Sequence, residues 1–213
     1  MTKVKICGVN TPEALEAAAE AGADWVGLVF YPPSSRALTP AQAAALSGSL
    51  PNGPPRVGLF VDPADDEVEA ALAAVPLSAL QVYTDAARAR ALQARFGVPV
   101  WHAIGVGTPA DLPHAAPGVG RLLLEARAPK HAGRPGGNAL SFDWTILQGW
   151  APPTPWILAG GLTPENVGAA IKTSGAHAVD VSSGVERTPG VKDPALIRAF
   201  IAAARAVTPE PVP

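Results

Sequence analysis

Strand-like apolar runs alternate with helix starts along the chain, and this alternation limits the possible folds more than any other feature. Thr-Pro pairs at residues 11–12, 39–40, 108–109 and 163–164 each place a good N-cap before a good first helical residue. The apolar runs recur at intervals of about 20 to 30 residues, as expected for repeated βα units. They lie near residues 3–7, 25–30, 57–61, 80–82, 98–104, 121–125, 156–158 and 178–181.

Eight such units predict an α/β fold. Because eight parallel strands can close into a barrel, we predict a single (β/α)8 TIM barrel. We expect this domain to span residues 1–207, followed by a Pro-rich tail at residues 208–213. The alternative is a doubly wound open sheet. It is less favoured because no G-x-G-x-x-G sequence follows the first strand.

The composition excludes several classes of function. With 16% charged residues and a net charge of −2, the chain offers no basic surface for nucleic acid. Its apolar runs are too short to span a membrane, and no hydrophobic leader precedes the first strand, so we predict a cytoplasmic protein. The single cysteine, Cys7, excludes an internal disulfide, and the four histidines have no ligand spacing, so no metal site is expected.

Two turns of small residues follow the last two predicted strands. One is Ala159-Gly160-Gly161-Leu162 and the other is Val181-Ser182-Ser183-Gly184-Val185-Glu186. Small residues leave backbone N–H groups uncovered, and a helix that begins there adds partial positive charge, which suits a phosphate group. One Gly-Gly pair alone would more often be only a tight turn. Two such turns in the last two units favour a phosphate site.

Polar side chains lie at the ends of several predicted strands, where barrel enzymes place their working residues. On strand one, Lys5 and Cys7 share a face and should point into the barrel. A buried lysine requires a carboxylate partner, and Asp180 on the closing strand is suitable. The lysine charge would favour the thiolate of Cys7. The alternative is that Cys7 is an inert small hydrophobic residue.

Glu125 follows three leucines on strand six and shares a face with Leu123, so it should also point inward. Burial against apolar neighbours would raise its pKa and keep some of the acid form near neutral pH. The alternative is an exposed carboxylate at the strand end. A thiol base and a carboxylic acid across a barrel mouth can move protons on a small substrate. Taken alone, Arg36 in the loop after strand two is more simply a solvated charge.

Short sequence segments along nearly the whole chain form one ordered pattern, and the segments near the two ends of the chain are the most specific. The segments are Lys5-Ile6-Cys7-Gly8, Gly22-Ala23-Asp24, Ser35-Arg36, Gly58-Leu59-Phe60-Val61, Ser141-Phe142-Asp143-Trp144, Ala159-Gly160-Gly161-Leu162 with Glu165-Asn166-Val167, and Asp180-Val181-Ser182-Ser183-Gly184-Val185-Glu186 followed by Pro189-Gly190-Val191-Lys192-Asp193. This pattern resembles the phosphoribosylanthranilate isomerases of tryptophan biosynthesis.

The resemblance implies an Amadori rearrangement of N-(5′-phosphoribosyl)anthranilate that requires no cofactor. In that reaction a carboxylic acid opens the ribose ring to a Schiff base, a cysteine thiolate removes the C2′ proton, and the enolamine collapses to the 1-deoxyribulose product. By resemblance, Cys7 is the general base and Glu125 occupies the position of the family's aspartic acid. The implied binding residues are Arg36 for the anthranilate carboxylate, Asp180 for the anthranilate nitrogen, and Gly160, Gly161, Ser183 and Gly184 for the phosphate. We also expect Gln81 to bind substrate, because it lies late in strand four at the same end of the barrel.

The chain departs from the family pattern at three places. Glu125 replaces aspartate, which moves the acid outward by about one methylene, and a misplacement of about 1 Å can cost roughly 100-fold in rate. The family's Q-L-H-G is here Gln81-Val82-Tyr83-Thr84, which predicts a reshaped wall. Ala139 stands where the family often has glycine, which predicts a stiffer loop. These departures concern the rate rather than the reaction.

Two further hypotheses remain open at this point. A phosphosugar-binding barrel that has lost catalysis would explain Glu125 and Tyr83. An isomerase of the analogous histidine-pathway substrate would require two phosphate sites, whereas the sequence has phosphate-type turns only in its last quarter. Either way we expect a small phosphosugar ligand, no nucleic acid or membrane partner, and a monomer or homodimer.

Overall fold

A computed structural model of the chain describes residues 1–127 and 141–208. Its strands form a closed parallel barrel in sequence order, in which each strand pairs with the next and β8 pairs with β1. The predicted TIM barrel is therefore confirmed, and the open sheet is excluded. The strands are β1 (Lys3–Cys7), β2 (Trp25–Val29), β3 (Arg56–Val61), β4 (Leu77–Tyr83), β5 (Val100–Val106), β6 (Arg121–Ala126), β7 (Trp156–Leu158) and β8 (Ala178–Val181).

Helices cover the outside of the barrel. Thr11 and Thr39 cap α1 and α2 as predicted, since each side chain accepts a backbone N–H from the first turn. A short antiparallel hairpin, β9 (Glu186–Thr188) and β10 (Val191–Lys192), separates β8 from the last helix. The helices are α1 (Pro12–Glu20), α2 (Pro40–Ser49), α3 (Asp65–Ala74), α4 (Ala86–Phe96), α5 (Val167–Ser174) and α6 (Pro194–Arg205).

The other two Thr-Pro predictions are wrong. Thr108-Pro109 begins only a 3₁₀ turn, Pro109–Asp111, because further prolines follow at residues 113 and 117 and remove the N–H donors of a longer helix. Thr163-Pro164 does not cap α5, which begins after Asn166. The Asn166 side chain accepts the Thr163 N–H at 2.8 Å and donates to the Gly161 carbonyl at 2.9 Å, so these residues form a turn instead.

Side chains alternate between two apolar regions. Val4 and Ile6 of β1 pack outward against the helices, whereas Lys5 and Cys7 point inward. A smaller cluster fills the barrel below the mouth, so functional side chains are confined to the carboxyl ends of the strands. It comprises Val57, Ala79, Trp101, Leu123, Ile157, Ala159 and Ala178.

Some predictions fall outside the described residues. These are the loop that contains Ala139 and all of the predicted tail except Thr208, so the boundary of the barrel domain at residue 207 stays a prediction. Across the two described ranges, no helix has the length and apolar character needed to cross a bilayer.

Candidate active site

The first group of functional side chains lies where β1 closes the barrel against β8. Lys5 pairs in register with Asp180, and its Nζ lies 2.8 Å from Asp180 Oδ1, with the lysine side chain fully buried. The predicted ion pair is confirmed. On the other side of β1, Gly27 makes room for this group, because a Cβ there would lie 2.9 Å from Cys7 Sγ and 3.0 Å from Lys5 Nζ. Sequence reasoning missed Gly27, whose only signal is a glycine inside a strand.

The titration of Cys7 differs from the expectation. Burial raises the pKa of the Cys7 thiol because it disfavours the charged form, and the Lys5 charge offsets only part of this effect. The Asp180 charge acts in the same direction as burial. Lys5 therefore favours the thiolate of Cys7, as predicted, but burial outweighs its effect. Burial acts to lower the pKa of Lys5, but Asp180 raises it overall, so the lysine stays protonated.

We predict that the Lys5–Asp180 pair is essential to stability. Lys5→Met leaves Asp180 charged and unpaired beside an apolar side chain, which should lower the free energy of unfolding by about 3–5 kcal/mol. Urea denaturation followed by circular dichroism measures this change. Lys3→Met is the matched control on the exposed end of the same strand and should change stability by less than about 1 kcal/mol. Equal losses in both variants would contradict the prediction.

The second group lies across the mouth, on β4 and β6. Glu125 is 5% exposed and lines a cleft of about 470 Å³, so it points inward as predicted and is not an exposed strand-end carboxylate. Tyr83 lines the same cleft, and its phenol interacts electrostatically with Glu125. Gln81 is fully buried below them, and its Nε2 lies 3.4 Å from the Tyr83 hydroxyl. The cleft is lined by Val61, Asp62, Tyr83, Thr84, Asp85, Ala103, Gly105 and Glu125.

Arg36 belongs to a buried charge cluster at the same end of the barrel. Its Nε and Nη2 donate to the two carboxylate oxygens of Glu186 at 2.6 and 2.7 Å. Lys192 Nζ also contacts Glu186, at 2.7 Å. Arg36 is 5% exposed, so its interpretation as a solvated loop charge is wrong. Gly8, at φ 73°, gives the Arg36 side chain its space, because a Cβ there would collide with it.

Glu186 and Lys192 were not recognised as site residues, although both lie in the segments that carry the family resemblance. Burial acts to raise the pKa of Glu186, but the hydrogen bonds from Arg36 and Lys192 lower it, so this carboxylate remains ionised. The bidentate contact fixes the plane of the Arg36 guanidinium. No local pattern identifies the pair, because Arg36 and Glu186 are 150 residues apart.

The two turns of small residues come together at the ends of β7 and β8. Gly160 and Gly161 both adopt left-handed backbone angles, with φ of 88° and 61°. Gly184 lies directly against the Leu162 carbonyl, so a side chain there would collide with the first turn. Ser183 begins a 3₁₀ helix, Ser183–Val185, and is half-buried.

The helix predicted to begin at the second turn is only the 3₁₀ helix Ser183–Val185, whereas the last helix begins at Asp193-Pro194 as predicted. The β9–β10 hairpin follows the 3₁₀ helix because Pro189 and Gly190, at φ 84°, form a reversal there, and α6 begins only at Pro194. Within the described residues, no group of three or more His, Cys, Asp or Glu side chains is arranged to hold a metal ion.

Comparison with known proteins identifies the family. The profile of the family described as N-(5′-phosphoribosyl)anthranilate (PRA) isomerase matches residues 4–203. A curated relative of that name from Acidiphilium cryptum is 53% identical over 206 residues, which cover 97% of this chain and 100% of the relative. Another from Granulibacter bethesdensis is 48% identical over 206 residues and covers 96% and 99% of the two chains.

Solved structures agree with these relatives. A phosphoribosylanthranilate isomerase in complex with reduced 1-(o-carboxyphenylamino)-1-deoxyribulose 5-phosphate is 34% identical, with a TM-score of 0.82 over 97% of this chain and 100% of that chain. The enzyme from Thermotoga maritima is 35% identical, with a TM-score of 0.82 over the same shares. On sequence and structure together, this chain belongs to the N-(5′-phosphoribosyl)anthranilate isomerase family.

Proposed function

We propose that Cys7 and Glu125 are the general base and general acid of this isomerase, which converts N-(5′-phosphoribosyl)anthranilate to 1-(2-carboxyphenylamino)-1-deoxyribulose 5-phosphate in tryptophan biosynthesis. The observation that carries this assignment is their placement. Cys7 ends β1, Glu125 lies near the end of β6, and both are buried at the same mouth of the barrel.

Glu125 starts the reaction by giving its proton to the ribose ring oxygen. The C1′–O bond breaks, and the anthranilate nitrogen supplies the electron pair that forms the Schiff base. A carboxylic acid suits this step because it is a stronger acid than water, and burial limits the contact of Glu125 with solvent. Glu125 is left as a carboxylate.

Cys7 then acts in its thiolate form, which arises when the thiol gives its proton to solvent, and it removes the proton from C2′ to become the thiol. The C–H electrons form the C1′–C2′ double bond and neutralise the Schiff base nitrogen, which gives the enolamine that tautomerises to the ketone. The buried Lys5 ammonium stabilises the Cys7 thiolate before it accepts the proton, while Asp180 keeps that lysine in place. Because the rearrangement only moves protons and electron pairs within the substrate, it needs no cofactor.

Arg36 and Asp180 orient the anthranilate end of the substrate in this proposal. Glu186 engages Nε and Nη2 of Arg36, so we assign the carboxylate of the substrate to the remaining nitrogen, Nη1. Asp180 accepts a hydrogen bond from the anthranilate nitrogen beside Lys5. Gln81 forms the wall beneath the ribose through its contact with Tyr83. Gly160, Gly161, Ser183 and Gly184 surround the phosphate with backbone N–H groups.

Titration with the reduced product analogue tests these binding roles. We expect one molecule of reduced 1-(o-carboxyphenylamino)-1-deoxyribulose 5-phosphate to bind per chain in calorimetry. Gly184→Ala should weaken binding by about 10- to 100-fold, because its new methyl group displaces the turn and the phosphate loses charge-assisted hydrogen bonds. Gly48→Ala is the matched control, since a Cβ there meets nothing within 4 Å. Unchanged affinity in a folded Gly184→Ala protein would contradict the phosphate assignment.

We further propose that the enzyme acts in the cytoplasm, alone or as a homodimer, on this small molecule and not on nucleic acid. Among the described residues, Met1 is the one large hydrophobic residue that is exposed, which favours a monomer. A solved relative from Thermotoga maritima, 34% identical, is a monomeric form of a dimeric isomerase, which keeps the homodimer as the alternative.

A further inference from the structure

Two departures from the family pattern, Tyr83 and Glu125, meet in the structure. Tyr83 ends β4 and Glu125 lies near the end of β6, so β5 stands between them. The inward residues of β5 at this level are Ala103 and Gly105, and Gly105 pairs in register with Glu125. Because these residues are so small, no side chain of β5 separates the tyrosine from the carboxyl group.

The hydrogen bonds of Tyr83 have a defined direction. Gln81 Nε2 lies 3.4 Å from the phenol oxygen and can only donate to it. The phenol O–H is therefore available to donate to the Glu125 carboxyl, which lines the same cleft and interacts with it. Burial, and then the Glu125 charge, raise the pKa of Tyr83 well above its ordinary value of 10.0, so the donor keeps its proton.

We infer that Tyr83 is a positioning residue for this chain's longer acid, which it holds in the cleft through a hydrogen bond that strengthens as Glu125 gives up its proton. The inference deepens the proposed function, because it rests on Glu125 as the general acid. A phenol bonds a carboxylate more strongly than a carboxylic acid, so the contact stabilises the transition state more than the substrate complex.

The surroundings of the pair support this role. Asp62 and Asp85 line the same cleft, and the Asp180 charge also acts on the phenol. These groups all oppose a new carboxylate at Glu125. The Tyr83 O–H is therefore an uncharged hydrogen-bond donor. It favours the ionised form of Glu125, which the surrounding negative charges disfavour.

Removal of the hydroxyl tests the inference. Tyr83→Phe keeps the ring and should lower kcat by about 10- to 100-fold, as expected for a hydrogen bond to a charged group, with KM changed less than about threefold. The pKa of Glu125, followed by carbon-13 NMR of the labelled carboxyl and assigned with Glu125→Gln, should rise because the carboxylate loses its donor. A purely structural role would not move this pKa. Tyr31→Phe, which removes the other tyrosine hydroxyl of the chain, is the matched control and should change neither value.

A double-mutant cycle gives a second, independent measurement. The shorter side chain in Glu125→Asp retreats from Tyr83, so Tyr83→Phe should lower kcat by less than about threefold in that background. Equal effects in the two backgrounds would overturn the inference, as would a kcat of Tyr83→Phe within threefold of wild type. If Glu125→Gln keeps full turnover, the assignment of the acid fails instead, so the two failures can be told apart. Thermal melting identifies any variant that does not fold.

Discussion

Replacement of Cys7 by alanine is expected to lower kcat by about 100- to 10,000-fold, the range found when a general base is removed. Alanine leaves no group at the end of β1 that can take the C2′ proton. Glu125 cannot serve instead, because it lies on β6, on the other side of the mouth. The loss is measured by following the disappearance of the fluorescent substrate with purified protein.

Two controls separate chemistry from folding in the Cys7 experiment. Binding of the reduced product analogue should stay within about threefold of wild type, since Cys7→Ala removes one buried atom and leaves the Lys5–Asp180 pair.

Cys7 is the only cysteine, so alkylation can inactivate the enzyme at this thiol alone. Only the thiolate reacts, and the raised pKa of Cys7 means that the alkylation rate keeps rising above pH 9.0, the ordinary pKa of a thiol. Full activity in Cys7→Ala would contradict the assignment.

Replacement of Glu125 by glutamine should produce a loss of similar size. The amide keeps the shape of the side chain but has no proton acidic enough to open the ribose ring, so kcat should fall by about 100- to 10,000-fold. The fluorescence assay measures this, and the reduced product analogue should bind as it does to wild type. Glu165→Gln, at an exposed glutamate, is the matched control and should keep wild-type activity.

Glu125→Asp distinguishes an adapted enzyme from one that has lost catalysis. Shortening the acid moves its oxygens by about 1 Å and should lower the rate by up to roughly 100-fold if the cleft is shaped for glutamate. The contact between Glu125 and Tyr83 supports that outcome. A gain of activity from an inactive wild type would instead favour the phosphosugar-binding barrel.

The barrel could be predicted from the sequence because its signals are local and repeated. Apolar strands and Thr-Pro helix starts recur along the chain, and the period-2 alternation on β1 correctly places Lys5 and Cys7 inside. Two of the Thr-Pro helix predictions were wrong because other local interactions decided the conformation there. Prolines ended the segment after Thr108, and the Asn166 side chain formed a turn before α5.

The sequence could place the polar side chains at the strand ends, but it could not predict the interactions between them. The strand ends identify Cys7, Glu125 and Asp180, since each belongs to one local run. The Arg36–Glu186 contact joins loops far apart in sequence, and the Tyr83–Glu125 contact depends on the small inward residues of β5. The pKa of Cys7 depends on the balance of burial against nearby charges, and residue spacing cannot give that balance.

Turnover of freshly generated N-(5′-phosphoribosyl)anthranilate by the purified wild-type chain tests the central claim most directly. The reaction is followed as loss of anthranilate fluorescence, and the product is identified by mass spectrometry after reduction. We predict rapid loss of fluorescence and a reduced product that matches the known analogue. No loss beyond the rate without protein, from a folded chain that binds that analogue, would contradict the claim.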